Sequence, residues 1–395
     1  MNLVTNILED IRKNGDFAVL KYNKKFDNNN SKNFIVSKKQ IKQAYAQIDK
    51  EKLNALKFAA KNIKFFAKEQ KKQVKDFNVK TNFGTIGQKV IPLQSVGCYV
   101  PGGNYPLPST ALMTVIPAKI AGVDEIIVCS PKISNEVIVA ADIAGARKIF
   151  NVGGVQAIGA LAFGTKQIPK VNKIVGPGNK YVTEAKRQVF GEVGIDFIAG
   201  PSEVLIVADD SANAKFIAAD MLAQAEHDTC AKANLITTSK RIVKQVKIEL
   251  QKQLINLETK DIAKESLKNS KFIVVDNLAK AAKIANDIAP EHLELQLQNP
   301  NQIIPKLKNY GSLFIGEKSA EALGDYCLGP NHTLPTNKVA MYSGGLSVRD
   351  FVKIVTVQTV TKTNKMIINC SSKFAEIEGL VAHKKAAEIR RERVN

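Results

Sequence analysis

The chain has 395 residues, 45 % of them hydrophobic, with 57 basic against 37 acidic side chains and a formal charge of +20. That length suits two to three domains and a large buried core. No run approaches the ~18 to 20 consecutive apolar residues of a membrane span, and the start M-N-L-V-T-N-I-L-E-D carries acids where a secretory signal carries bases, so a cytoplasmic protein without membrane contact is expected. Five cysteines, at 98, 129, 230, 327 and 370, form no C-x-x-C pair and suit a reducing compartment. The positive charge is nearly all lysine, spread along the chain, and only the tail R-R-E-R clusters arginine, which argues against specific nucleic-acid binding.

In chain order, residues 1 to 75 read as helices. Leu3, Ile7 and Ile11 make one apolar face, Asn14-Gly15-Asp16 breaks it, and Ser37 with Gln40 forms a capping box. Leu53, Leu56, Ala60 and Ile63 continue in helical register, and from Val79 to Val100 the period shortens to two and predicts strands. Beyond Tyr99 short β-branched runs alternate with helical ones. Strands are expected at Glu125 to Cys129, Lys148 to Val152, Lys173 to Val175, Ile195 to Ile198 and Val204 to Val207, with helices at Glu136 to Ala146 and Val155 to Phe163. A second series runs through Ala233 to Ile236, Phe272 to Val275, Leu293 to Leu297 and Leu313 to Ile315, with a helix at Arg241 to Leu254.

This alternation predicts an α/β fold of two doubly wound, Rossmann-like parallel-sheet domains with a helical N-terminal segment and a C-terminal arm. The boundaries expected are 1–20 for the N-terminal segment, 21–97 with 204–345 for one α/β domain, 98–203 for the other, and 346–395 for the arm. Within the arm, Ser347 to Val357 reads as one helix, Met366 to Asn369 as extended, and Ala382 to Arg393 as a terminal helix. Too short to bury a core alone, the arm must pack on the body or on another subunit. Ligands of doubly wound sheets bind at the carboxyl ends of the strands, and the site is expected there.

Four histidines, His227, His292, His332 and His383, stand beside acidic, Asn or Gly-rich sequence. In M-L-A-Q-A-E-H-D, Gln224 and His227 are three apart on one expected helix face and together can hold, but not enclose, a divalent metal. Asp325 is a candidate third ligand and His383 a fourth. Oxygen and nitrogen donors without thiolate point to catalytic zinc or a similar ion. The loops P-G-G-N at 101–104 and G-P-G-N at 176–179 each lie between a strand and a helix. They are either phosphate cradles or plain tight turns, since Tyr181 stands where the third glycine of a dinucleotide fingerprint belongs. In A-P-E-H-L-E, Glu291 and His292 are either a surface pair or a carboxylate and an imidazole that divide acid and base work. In G-D-Y-C-L-G-P-N-H-T-L-P-T, a Gly and Pro loop separates Asp325 from His332.

Y-V-P-G-G at 99–103, G-G-V-Q-A-I-G-A-L-A-F-G-T at 153–165, V-G-P-G-N-K-Y-V at 175–182, A-G-P-S-E-V-L at 199–205 and E-G-L-V-A-H-K-K-A at 378–386 join these motifs. With them the chain resembles the histidinol dehydrogenase family over nearly its whole length. The resemblance implies a zinc enzyme, one ion per subunit, that takes L-histidinol to L-histidine in two NAD-linked oxidations through a bound aldehyde, the last step of histidine biosynthesis. It implies Gln224, His227, Asp325 and His383 as zinc ligands that also hold the substrate, His292 as base for the alcohol and Glu291 as activator of water. It further implies Ser202, His332 and Glu378 as substrate contacts with His292, and Tyr99, Gln156 and Asn179 as cofactor contacts. A homodimer is implied in which the arm, with Glu378 and His383, completes the neighbour's site.

Three departures from the family pattern are visible. Thr229 replaces the usual proline after H-D, the stretch after Pro131 is short, and Glu378 and His383, five apart, cannot share a face of an unbroken helix, with Gly379 marking a start or break. Competing readings are a paralogue acting on another amino or sulfonated alcohol, an aldehyde dehydrogenase with a cysteine nucleophile, a zinc hydrolase, disfavoured because H-E-x-x-H is absent, and a basic nucleic-acid or scaffold protein.

Overall fold

The computed structural model describes residues 2–102, 105–198, 200–362 and 364–393. Gly103 and Asn104 of the first glycine loop, and Ala199, lie outside the described residues. The N-terminal helices are α1 (Asn2–Asn14), α2 (Asp16–Asp27), α3 (Lys38–Gln47) and α4 (Lys50–Lys72), followed by β1 (Phe77–Thr81) and β2 (Gly84–Pro92). The first α/β series is β3 (Ser95–Tyr99), α5 (Pro108–Ala121), β4 (Glu125–Cys129), α6 (Asn135–Ala144), β5 (Lys148–Phe150), α7 (Gly154–Phe163), β6 (Lys173–Val175), α8 (Lys180–Val189) and β7 (Gly194–Ile195). The second is β8 (Glu203–Ala208), α9 (Ala214–Ala225), β9 (Lys232–Thr237), α10 (Lys240–Ile255), α11 (Lys260–Leu267), β10 (Phe272–Val274), α12 (Leu278–Ile288), β11 (His292–Gln296) and β12 (Ser312–Ile315). Then come α13 (Glu321–Tyr326), β13 (Val352–Val360), α14 (Lys365–Ile377) and α15 (Val381–Glu388). Among the described residues no helix is long and apolar enough to cross a membrane.

By contacts the chain divides into two compact units, Met1–Gln70 with Leu93–Phe351, and Lys71–Pro92 with Val352–Asn395. The first holds both five-stranded parallel sheets, ordered β5-β4-β3-β6-β7 and β10-β9-β8-β11-β12. In each, the first strand along the chain is central, the next two stack on one side and the last two on the other. That shared order is the expected pair of Rossmann-like sheets. The N-terminal helices are built as the sequence requires. Val4, Ile7, Leu8 and Ile11 of α1 form a buried stripe and join the same core as α7. Gly159 lets α1 approach, because a Cβ there would stand 2.9 Å from Ile11 Cδ1. The Ser37–Gln40 capping box is present at the start of α3.

In the second unit, β2 pairs antiparallel with both β1 and β13. Here two expectations fail. Ser347 to Val357 is not one helix but a short 3-10 turn, Val348–Phe351, running into β13. The run V-K-I-V-T-V-Q-T-V is rich in β-branched residues and matches the whole of β2 in register, and that pairing overrides local helical spacing. Met366 to Asn369 is not extended but lies inside α14, whose start is capped by the Asn364 side chain accepting from Ile367 N at 2.9 Å. Ile368, Ser372 and Ala375 then make its buried face. The helix does break at Gly379, whose φ is +72°.

Candidate functional site

The two sheets of the first unit gather functional groups at opposite ends. In the second sheet, Glu203 leads β8 and His292 leads β11, with His292 opposite Val204 and Ser312 in register. Glu291 and Ser202 precede these strands. The expected acid-base pair therefore stands at the amino ends of the strands, and the expectation of a carboxyl-end site fails for this sheet. Pro290 follows the end of α12, with Ala289 turned into the left-handed region at φ 51°. Gly311 N donates to Pro290 O at 2.9 Å, and Ser312 N to Glu291 O at 2.9 Å, so the neighbouring strand holds the turn.

His292 is buried among carboxylates. Its Nε2 is 3.3 Å from Asp325 Oδ1, and its Nδ1 is 3.7 Å from Glu321 Oε1 and 3.8 Å from Glu291 Oε2, without a hydrogen-bond partner of its own. Burial pulls the imidazole pKa down, but Glu321, Glu291 and Asp325 outweigh it and raise it well above the usual value. Burial pushes Glu291 up to about 7, against the pull of His292. Glu291 Oε2 accepts from Glu203 N at 3.0 Å, which fixes the carboxylate. Burial also raises Glu321 and Glu203.

Around this centre stand the other expected residues. Gln224 is fully buried in α9, its amide between Glu321 Oε1 and Glu203 N, and the amide orientation that satisfies both neighbours has Nε2 donating to the carboxylate and Oε1 accepting from the backbone N–H. His227 does not share the helix face, because α9 ends at Ala225 and His227 sits in the following turn, with its N donating to Gln224 O at 3.3 Å. His227 keeps an exposed edge, yet the protein around it holds its pKa below the usual imidazole value, against the pull of Asp325. Asp325 lies in the last turn of α13, and its backbone carbonyl meets His332 Nδ1 at 2.9 Å. His332 Nε2 lies 3.4 Å from Thr110 Oγ1 at the start of α5, and Asn331 Nδ2 donates to Met113 O at 2.6 Å, so this loop docks on the first α/β series. Burial lowers the pKa of His332. A pocket of about 250 Å³ opens beside Asp325 and His332, walled by Phe314, Leu328 and Leu334.

Asp325, His227 and the Gln224 amide oxygen fit a divalent cation in donor chemistry, with two imidazoles nearby biased neutral. Among the described residues a different set of donors lies close together: atoms of His292, Glu321 and Asp325 within 4.8 Å of one another, of which only Asp325 is an expected ligand. Glu378 and His383 belong to the second unit, where both are exposed. Glu203, Glu321, Glu294 and Asp220 were not singled out from the sequence. Their signal there was an acid set among apolar neighbours, as in S-A-E-A-L and P-S-E-V-L.

In the first sheet the expected cofactor residues lie at the carboxyl ends. Tyr99 ends β3, and its hydroxyl accepts from Gly154 N at 3.1 Å. Gln156, in the first turn of α7, donates through Nε2 to Asn23 Oδ1 and Asp27 Oδ2, each at 3.2 Å, while its buried Oε1 is left without a partner. Three loops meet at Pro131, since a Cβ on Gly102 would stand 2.6 Å from Pro131 O and one on Gly153 2.2 Å from Pro131 Cβ. Asn179 caps α8, its Oδ1 accepting from Tyr181 N at 3.0 Å and Val182 N at 3.1 Å. Two amides that a helix start would offer a phosphate are therefore already taken. The unpartnered Gln156 oxygen and the side-chain-free loops fit a dinucleotide laid over this end. Burial pushes the Cys98 thiol up to about 12 and Cys129 higher still, so neither supplies a thiolate.

A pair of nucleotide-binding-type sheets with a buried imidazole and carboxylate cluster on one of them describes a two-lobed α/β dehydrogenase. The histidinol dehydrogenase family model matches residues 1–391. The histidinol dehydrogenase of Methanocaldococcus jannaschii is 46% identical over 393 residues, covering 98% of this chain and 91% of its own. That of Aquifex aeolicus is 47% identical over 393 residues, covering 98% and 92%. The crystal structure of histidinol dehydrogenase from Elizabethkingia anophelis matches with a TM-score of 0.95 at 40% identity, covering 99% of this chain and 92% of that one. The chain belongs to the histidinol dehydrogenase family, a family of oxidoreductases.

Proposed function

We propose that this protein oxidises L-histidinol to L-histidine in two NAD-linked steps with a zinc ion in the site. The observation that carries the reading is His292 held between Glu291 and Asp325, with Asp325 and His332 lining the pocket beside it, in a chain whose residues 1–391 match the family. Gln224, His227 and Asp325 would hold the ion together with the partner subunit's His383. When bound, zinc would fix the imidazole and amine of the substrate, and NAD would take up a hydride at each oxidation.

The chain's own residues do the rest. In its neutral form, reached above its raised pKa, His292 removes the alcohol proton as the hydride leaves the carbinol carbon, giving the aldehyde. Glu291, immobilised by Glu203 N, takes a proton from water as its oxygen adds to the aldehyde carbon. After His292 has passed its first proton to solvent, the hydrate loses its second hydride, with a proton passing again to His292, and leaves as the carboxylate. Retention in one pocket keeps the reactive aldehyde from solution. Ser202, His332 and the partner subunit's Glu378 orient the amino alcohol, while Tyr99, Gln156 and Asn179 line the cofactor side. Phe374, Ile377 and Val381 of the arm are 61%, 73% and 77% exposed, an apolar surface that supports a homodimer with shared sites.

The test is NADH formed per L-histidinol consumed, with the product identified, before and after a chelator and zinc add-back. Two NADH per substrate, histidine as product and zinc-restored turnover are expected. Absence of NADH with zinc present would move the assignment to another amino alcohol.

A further inference from the structure

The sequence marks V-G-P-G-N as a loop, but not what holds it. Gly176 sits at φ +115°, and a Cβ there would stand 2.1 Å from Tyr99 O, so the loop is pressed onto the end of β3. Lys186 of α8 reaches back beneath it, donating through Nζ to Gly176 O at 2.9 Å. Asp196, just beyond β7, accepts from Gly176 N at 2.8 Å through Oδ2 and pairs with Lys186 Nζ through Oδ1. Both polar groups of one glycine are thus gripped by an ion pair whose side chains are 3% and 1% exposed.

A pair this deeply buried is poor evidence of stabilisation, because desolvating two ions offsets their attraction. What it does supply is direction. The loop's peptide can neither rotate nor lift without taking from each buried ion the hydrogen bond it makes to Gly176. The gripped glycine is three residues before Asn179, and Tyr99 lies beneath it, so one device fixes two of the three cofactor residues. Neither charged group reaches the acid-base centre, which lies on the other sheet.

We propose that the Lys186–Asp196 pair is a positioning device that presets the Gly176–Asn179 loop for the dinucleotide. This rests on the NAD reading above. The pair acts on cofactor affinity and leaves the chemical step alone.

The test compares the wild-type protein with the double variant Lys186→Met/Asp196→Leu, which removes both charges at similar volume and so keeps the fold. Calorimetry with NAD is expected to show Kd raised about tenfold, and hydrogen exchange should show protection lost at residues 175–182. At saturating NAD, kcat and the KM for histidinol should stay within about twofold, a split that mere loss of stability would not produce. The single variant Lys186→Arg, which keeps charge and donors, should recover most of the NAD affinity. A folded double variant that binds NAD like wild type overturns the clamp while the NAD reading stands. A wild-type protein that binds no NAD overturns the cofactor reading and the clamp with it.

Discussion

The two parallel sheets have the same strand order and are used at opposite ends. In the first, the candidate cofactor groups lie beyond the carboxyl ends of β3, β5 and β6, where doubly wound sheets carry ligands. In the second, the carboxyl-end crevice between the central strand β8 and its neighbour β11 is stitched shut. Asp209 N donates to Gln296 O at 3.2 Å, and Asp209 Oδ2 accepts from Gln298 N at 2.9 Å. The titratable groups gather instead at the amino ends, around His292. A shared topology therefore does not dictate a shared site, and chemistry follows the side chains.

If the ends are separate in function, they can be broken separately. The largest effect is expected at the amino end. Replacing His292 by Asn, or dialysing against a chelator, should lower NADH formation by on the order of 10²-fold or more. NAD affinity, measured by calorimetry, should stay within about twofold. Collapse of both together would mean that the two ends form one cooperative site.

A sharper cut within the amino end is Glu291→Gln. The proton of the alcohol still has its acceptor in His292, but water at the aldehyde loses its own. The first oxidation should survive and the second should fall by about 10²-fold, so NADH per histidinol drops from two towards one and aldehyde becomes trappable by semicarbazide. Equal loss of both oxidations would remove the division of labour assigned to the pair.

At the carboxyl end, Asn179→Ala removes an oxygen that caps two amides. Stability should fall by about 1 kcal/mol and NAD Kd should rise several-fold. The KM for histidinol is the control, and a change there equal to that for NAD would count against separate ends.

Much of this was legible in the sequence because local and long-range preferences agree there. The alternating runs give both sheets, Ser37 and Gln40 give a helix start, and Pro290 marks the turn that presents Glu291 and His292. Where the two disagree, reading fails. The segment 352–360 has helical apolar spacing but pairs with a strand some 260 residues earlier in the chain, a partner no local window contains. His227 was placed on a helix that ends two residues before it. Glu321 and Glu203 were missed because an acid between apolar residues reads as a solvated position until tertiary packing buries it. The amino-end location was missed for the same reason: the seal made by Asp209 joins parts of the chain nearly ninety residues apart.

The last effect, read in stability rather than turnover, concerns how each sheet carries buried charge. The first holds an opposite pair, Lys186 with Asp196. The second holds a like pair, Asp220 on α9 facing Glu294 on β11. Burial and Asp220 push Glu294 up to about 8, and burial pushes Asp220 up to about 6. The folded state thus keeps protons that the unfolded chain has released above the ordinary carboxylate range. The unfolded state binds fewer protons, and stability must fall as pH rises from there through about 8. Glu294→Gln keeps an acceptor for Glu321 N, now bonded to Glu294 Oε1 at 3.1 Å, and removes one titrating group. Denaturant unfolding between pH 5 and 9, at intervals of about one unit, should give a slope shallower than wild type by up to about 1.4 kcal/mol per pH unit. The Lys186→Met/Asp196→Leu variant should leave the wild-type slope in place, because Asp220 and Glu294 are untouched by it. Parallel slopes for wild type and Glu294→Gln would mean that the like pair does not share a proton, and that the second sheet tolerates its acids by hydrogen bonding alone.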